Sequence, residues 1–221
     1  MKILIISYYF NPCVGIAPNR AASCANIFSK TENVKVITRH WKGDEVYWKD
    51  YLDSDLRPTE SIKISDSLEI HRTIYRKKEV KKNKISTFLR MLNGNLDYEI
   101  DATQLFEVAN EVTENWRPDI IFITCPPLNL LKVADKLYEK YKIPFIVDFR
   151  DFENDVVLSS KKNISLKRKI QFFLIQKKVK SLLNNAKGIC AINQNFIDYF
   201  ERIKSKPSIL IYNGFEKELF S

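Results

Sequence analysis

Short apolar runs alternate with stretches of helical spacing along almost the whole chain. Lys2–Ser7, Val34–Thr38 and Leu68–Tyr75 read as strands, and Pro18–Ser29 as the first helix. Lys84–Leu92 and Asp101–Trp116 read as helices, the second with Leu105, Val108, Ala109 and Val112 on one face. The clearest unit runs from Arg117 to Asp151. Asp119–Thr124 is an apolar run rich in β-branched residues, and Pro126-Pro127 breaks it. Leu128–Tyr141 then carries Leu130, Leu131, Ala134, Leu137 and Tyr141 at helical spacing, and Pro144–Val147 is a second buried-type strand. Two continuous apolar strands joined by one helix imply a parallel pair with a right-handed crossover. A long helix (Ser165–Ala186), a strand (Gly188–Ile192), a short helix (Gln194–Ile203) and a last strand (Ser208–Tyr212) follow. Such repeated units predict a doubly wound, mostly parallel, Rossmann-like α/β sheet. Between Arg39 and Ser67 the chain is polar and aromatic-rich (Trp41, Tyr47, Trp48, Tyr51) and shows no period.

The chain of 221 residues is 45% hydrophobic and 29% charged, as expected of a globular protein. It has no apolar run of about 18 residues, so nothing in it reads as a membrane span. The opening Met1–Ser7 lacks a long apolar region and a cleavage site, and so reads as a core strand rather than a leader. Cys13, Cys24, Cys125 and Cys190 are scattered without a C-x-x-C pair, which suits reduced thiols in the cytoplasm. The net charge of +9 is uneven. Lys161, Lys162, Lys167, Arg168, Lys169, Lys177, Lys178, Lys180 and Lys187 fall in one acid-free segment, while a second basic run, Arg76–Lys84, is balanced elsewhere. Plotted at 100° per residue, Phe172, Ile175, Val179, Leu182, Leu183 and Ala186 form a stripe that should face the sheet. Leu166, Ile170, Phe173 and Leu174 fall on the far side among Lys169, Lys177 and Lys180. This second patch either packs on the preceding loop or meets an anionic membrane surface between Lys161 and Lys187. Nucleic acid is not expected, because no known recognition motif accompanies the charge.

Several short motifs, in order, resemble the N-terminal domain of family 4 glycosyltransferases, which have the GT-B fold. They are Lys2-Ile3-Leu4-Ile5-Ile6-Ser7 with its following loop, the turn Gly15-Ile16-Ala17-Pro18-Asn19-Arg20, and Arg117-Pro118-Asp119-Ile120-Ile121. Ala186–Asn193 departs from the family pattern at Lys187 and Asn193, and Ile211-Tyr212-Asn213-Gly214-Phe215-Glu216 completes the series. The resemblance implies one acceptor-side domain over residues 1–214, with 215–221 opening a linker toward a C-terminal donor domain or a partner chain. It implies sugar transfer from a nucleotide sugar to a glycan or lipid-linked acceptor in surface polysaccharide synthesis, in the cytoplasm at the inner face of the membrane. A non-catalytic module that binds a glycan or a membrane surface is the alternative.

In an open parallel sheet, ligands sit beyond the carboxyl ends of the strands, where Asp148-Phe149-Arg150-Asp151 falls. Asp151 and Asp148 are the candidates for acid–base chemistry; an Asp–Arg ion pair that caps the strand is the other reading. Arg150 stays protonated and cannot act as a base. Substrate-binding candidates are Gly15 and Arg20 at the first helix N-terminus, Arg150, and Asn213 in the Asn213-Gly214 turn. A solvent-facing Arg20 and a purely structural Asn213 remain open. No cofactor is expected, since no G-x-G-x-x-G occurs. No metal is expected either: His40 and His71 stand apart, and Asp151, Glu153 and Asp155, which loosely mimic a cation loop, read as solvated loop acids.

Overall fold

The structure, a computed structural model, describes residues 1–47, 49–77, 100–151 and 165–214, without the side chains of Lys167, Arg168 and Gln171. The expected helix Lys84–Leu92, most of the run Arg76–Lys84, the acids Glu153 and Asp155, Lys161, Lys162 and the segment 215–221 lie outside the described residues.

The strands are β1 (Lys2–Ile6), β2 (Asn33–Arg39), β3 (Glu60–Lys63), β4 (Leu68–Thr73), β5 (Ile120–Cys125), β6 (Phe145–Phe149), β7 (Ala186–Ala191) and β8 (Ser208–Leu210). The helices are α1 (Ile16–Phe28), α2 (Thr103–Trp116), α3 (Asn129–Tyr141), α4 (Leu166–Leu182) and α5 (Gln194–Ile203). All eight strands form one sheet in the order β3-β4-β2-β1-β5-β6-β7-β8. Every pairing is parallel except β3 with β4. The predicted α/β class is therefore what forms.

The sheet is buried on both faces, which is why its strands read as unbroken apolar runs. One face carries Leu4, Ile6, Ile121, Ile123, Val147 and Phe149 against residues of α2, α3, α4 and α5. The Phe149 and Phe200 rings stack there with centroids 3.9 Å apart. The other face sets Ile3, Ile5, Val34, Val36 and Ile70 against Ala21, Ala22 and Ala25 of α1. The small alanines let this helix approach the sheet closely.

Local chemistry sets the element ends. Arg117 closes α2 in a left-handed conformation at φ 54, and its amide returns to the Thr113 carbonyl. Asp119, two residues on, fixes the register of β5 on β1. Its carboxylate accepts from the Lys2 amide at 2.6 Å while its own amide donates to the Lys2 carbonyl at 2.8 Å. Asn193 caps α5 by accepting from the Phe196 amide at 2.9 Å, the work a serine would do there.

Three details differ from the pattern. The first helix starts at Ile16, two residues before the expected Pro18, because Gly15 serves as its N-cap. Ala186 is not on the long helix: a 3-10 turn at Leu183–Asn185 ends that helix, and Ala186 opens β7. The unassigned stretch after Arg39 contains a 3-10 turn at Asp50–Leu52 and the edge strand β3, tied back by an antiparallel bridge from Asp55 to Tyr75.

Candidate active site at the carboxyl edge of the sheet

After β1 the chain builds outward through β2, β3 and β4, then returns to place β5 on the other side of β1. The topological switch point therefore lies between β1 and β5, and the crevice at their carboxyl ends is where a ligand is expected. A buried hydrogen bond of 2.8 Å between the Ser7 and Thr124 hydroxyls pins the two strands there.

Arg150 follows β6 and reaches across this crevice. Its amide donates to the Cys125 carbonyl at 2.8 Å, its Nη2 donates to the Pro126 carbonyl, and its guanidinium lies 5.3 Å from the Tyr9 ring centre. Only 9% of the residue is exposed, and its Nε is buried without a hydrogen-bond partner among the described residues. It forms no ion pair among the described residues. Burial lowers its affinity for the proton, yet an arginine remains charged. The result is a buried cation at the crevice, on which Asp148 and Asp151 act electrostatically without an ion-pair contact among the described residues. Asp151, the next residue, is exposed at the same edge.

Asp148 is placed differently. It is wholly buried within β6, and its carboxylate is taken by Arg20 of α1. Arg20 Nε donates to one carboxylate oxygen at 2.8 Å and Nη2 to the other at 2.6 Å. The remaining Nη1 donates to the Tyr212 carbonyl at 3.2 Å and the Asn213 Oδ1 at 3.3 Å. Thus Arg20, Asp148 and Asn213 form one network that ties α1 to the centre of the sheet and to the chain after β8. The arginine of this pair is Arg20, not the adjacent Arg150, and Arg20 does not face solvent. Gly15 sits at φ 136, a conformation that favours glycine. A Cβ there would meet only the Pro18 Cδ at 3.8 Å, so the backbone rather than space requires the glycine.

Sequence reasoning missed the group that flanks the crevice on the other side. Arg39, the last residue of β2, is 3% exposed and lies inside an aromatic box. Its guanidinium is 3.8 Å from the Tyr75 ring centre, 4.2 Å from that of Trp41 and 5.5 Å from that of Tyr8. Trp41 Nε1 donates to the Tyr8 carbonyl at 2.9 Å, and the Trp41 ring stacks on Tyr9. The one available signal was the density of aromatic residues just after β2.

The fold is shared with solved sugar-transferring enzymes. Sucrose-phosphate synthase from Thermosynechococcus elongatus matches with a TM-score of 0.60 at 12% identity, over 99% of this chain and 49% of that one. Arabidopsis thaliana UGT89C1, solved with quercetin, matches with a TM-score of 0.53 at 10% identity, over 95% and 49% of the respective chains. The chain thus spans about half the length of the structures it matches, and the likeness is one of fold, GT-B-like in kind. No protein-family model and no curated protein sequence matches it. Among the described residues, no cluster of His, Cys, Asp and Glu could hold a metal, and no helix is long and apolar enough to cross a membrane.

Proposed function

We propose that the chain is the acceptor-side half of a glycosyltransferase that uses a nucleotide sugar to extend a glycan or lipid-linked acceptor of a cell-surface polysaccharide. One observation carries this reading: the buried Arg150 cation, its Nε without a hydrogen-bond partner among the described residues, set across the switch-point crevice. Sugar transfer leaves a diphosphate on which negative charge grows, and a fixed guanidinium in a low-dielectric crevice stabilises that charge. We assign Asp151, exposed beside it, to orient or deprotonate the acceptor hydroxyl. Asp148 acts through Arg20 by holding α1, with Gly15 at its start, and Asn213 in place.

The test is transfer of labelled sugar from a panel of nucleotide sugars into a lipid-linked glycan extract. It uses both the purified chain and the chain co-purified with any partner from its own cells. Transfer is expected where a donor-binding domain is present, and Arg150→Ala is expected to reduce it by about a hundredfold or more. Absence of transfer from every donor in both preparations, with the protein folded, would overturn the proposal.

A second reading, attachment to an anionic membrane surface without catalysis, is favoured by one feature of α4. Ile175, Val179 and Leu182 face the core, whereas Leu166 is 74% exposed and Phe173 64%, with Ile170 also exposed. Lys169, Lys177 and Lys180 are exposed on the same helix. Apolar side chains ringed by lysines suit the headgroup region of an anionic bilayer. In a transferase, the same face would bring the enzyme to a lipid-linked acceptor.

A further inference from the structure

The segment that follows β2 encloses a cavity of about 220 Å³, lined by Arg39, Lys42, Asp44, Asp50, Asp53 and Ser54 among others. Its floor is the boxed arginine. Arg39 Nε donates to the His40 carbonyl at 2.9 Å, and Nη1 donates to the Tyr8 hydroxyl at 2.9 Å and the Tyr51 carbonyl at 3.1 Å. Nη2 donates to the Asp53 carbonyl at 2.7 Å. A guanidinium carries five N–H groups, so one remains without a partner among the described residues, on a side chain that lines the cavity. Its positive charge faces π-clouds and carbonyls, with no carboxylate in ion-pair contact among the described residues.

The other lining groups supply both donors and acceptors. Both Glu45 oxygens are spent on the amides of Lys42 and Gly43. Asp50 spends one oxygen on the amides of Val46 and Tyr47 and keeps the other. Asp53 offers one oxygen to Lys77 at 3.4 Å. The Ser54 hydroxyl accepts from the Lys77 amide and keeps its own proton to donate. The Asp44 carboxylate and the Lys42 ammonium make no hydrogen bond within the described protein. A phosphate would meet more carboxylates than cations here, and an apolar ligand would strip water from all of these groups without replacing it. A hydroxyl both donates and accepts, which is what a mixed wall can satisfy.

We propose that this cavity binds one hydroxyl-rich sugar unit, with Arg39, Lys42 and Asp44 holding its hydroxyls. To name that unit the acceptor rests on the sugar-transfer reading; the binding itself does not. The test is a ¹H–¹⁵N NMR titration of the protein with the methyl glycosides of glucose, galactose, mannose and N-acetylglucosamine, and separately with inorganic phosphate. At least one glycoside should shift the amides of Lys42, Asp44 and Ser54 saturably, while phosphate leaves them unmoved. Arg39→Ala would collapse the aromatic box, so Lys42→Ala and Asp44→Ala carry the test. Each should weaken the glycoside about fivefold to tenfold, as loss of one hydrogen bond does, with an unchanged melting temperature. Silence from every glycoside, a response to phosphate instead, or variants that bind like the parent would overturn it. Glycoside binding here without sugar transfer would sink the transferase reading alone, and transfer without these shifts would sink the cavity alone.

Discussion

Asp148→Ala is the perturbation whose size the structure fixes best. Both partners of the Arg20–Asp148 pair are buried, with side-chain exposures of 7% and 0%, and the contact is two-pronged at 2.8 and 2.6 Å. Removal of the carboxylate leaves a charged guanidinium in the interior. The contacts left to Arg20 cannot replace it, because they are longer, at 3.2 and 3.3 Å, and both fall on Nη1 rather than on Nε or Nη2. An orphaned buried charge costs about 3–5 kcal/mol, against a total stability on the order of 5–15 kcal/mol. The double replacement Arg20→Met with Asp148→Leu leaves no charge to strand. It is expected to cost well under the sum of the two single changes. Urea unfolding followed by circular dichroism measures Asp148→Ala and the four proteins of the cycle: the parent, Arg20→Met, Asp148→Leu and the double variant. A loss below about 1 kcal/mol for Asp148→Ala, or a double variant as damaged as the sum, would refute the strut role. Asp148→Asn separates the strut from a chemical role. If stability is kept but sugar transfer is abolished, the carboxylate reacts; if both fall together, it positions.

Three further outcomes are expected. Arg57 holds the Asp55 carboxyl at about 2 against its ordinary 3.8. A carboxyl depressed in the folded state stabilises above its unfolded pKa, and that gain is lost as pH falls from 3.8 through about 2. The arginine is 50% exposed, which screens the pair and reduces its worth to about 1 kcal/mol. Arg57→Gln should flatten acid unfolding curves in that window, and an unchanged slope would count against the pair. Burial pushes the Cys13 and Cys190 thiols up to about 12 and Cys24 to about 11. A thiol-disulfide reagent near pH 8 should therefore label these three only slowly in the folded protein, with the half-buried Cys24 first. Immediate labelling of all three would contradict the packing. On α4, Phe173→Glu should reduce cosedimentation with anionic vesicles by about tenfold, through lost apolar burial and added repulsion, with little effect on stability. Equal binding to neutral vesicles would exclude the electrostatic part of that surface.

The sheet was legible because parallel strands buried on both faces leave short apolar runs rich in β-branched and aromatic residues and bounded by prolines, as Ile120–Cys125 and Phe145–Phe149 show. The inward stripe of α4 was legible too, since Ile175, Val179 and Leu182 repeat at helical spacing and are buried. Its phase misled at the ends: Phe172 is half-buried, and Leu183 and Ala186, though buried, lie beyond the helix, where the 3-10 turn broke the period but not the hydrophobicity. The stretch after Arg39 left no such trace. β3 is an edge strand in which only Ile62 is shielded, so no alternation marks it. What holds that segment is aromatic packing and carbonyls around an arginine, which periodicity does not report. The partner of Arg20 was hidden for another reason: Asp148 lies 128 residues away, and only the completed sheet brings the two together.

The carboxyl edge holds three buried arginines, and their counter-charges divide the work. Among the described residues, only Arg20 of the three has a carboxylate in ion-pair contact, so it is neutralised and structural. Arg39 ends β2 and Arg150 follows β6, so in the order β2-β1-β5-β6 they flank the switch point from opposite sides. The residues after β1 join them, since the Tyr8 hydroxyl accepts from Arg39 while the Tyr9 ring lies beneath Arg150, with the two tyrosine rings 4.9 Å apart. The two cations differ in what they leave unmet. Arg39 keeps a single N–H beside carboxylates, a setting that favours a hydroxyl over an anion. Arg150 has a buried Nε with no hydrogen-bond partner among the described residues, in a crevice where Asp148 is already committed, a setting that favours a phosphate over a hydroxyl. A sugar acceptor and a diphosphate leaving group are the two species a glycosyl transfer must hold on either side of the reacting carbon. Under the proposed sugar transfer, Arg39 would serve the acceptor and Arg150 the leaving diphosphate, each in a separate place.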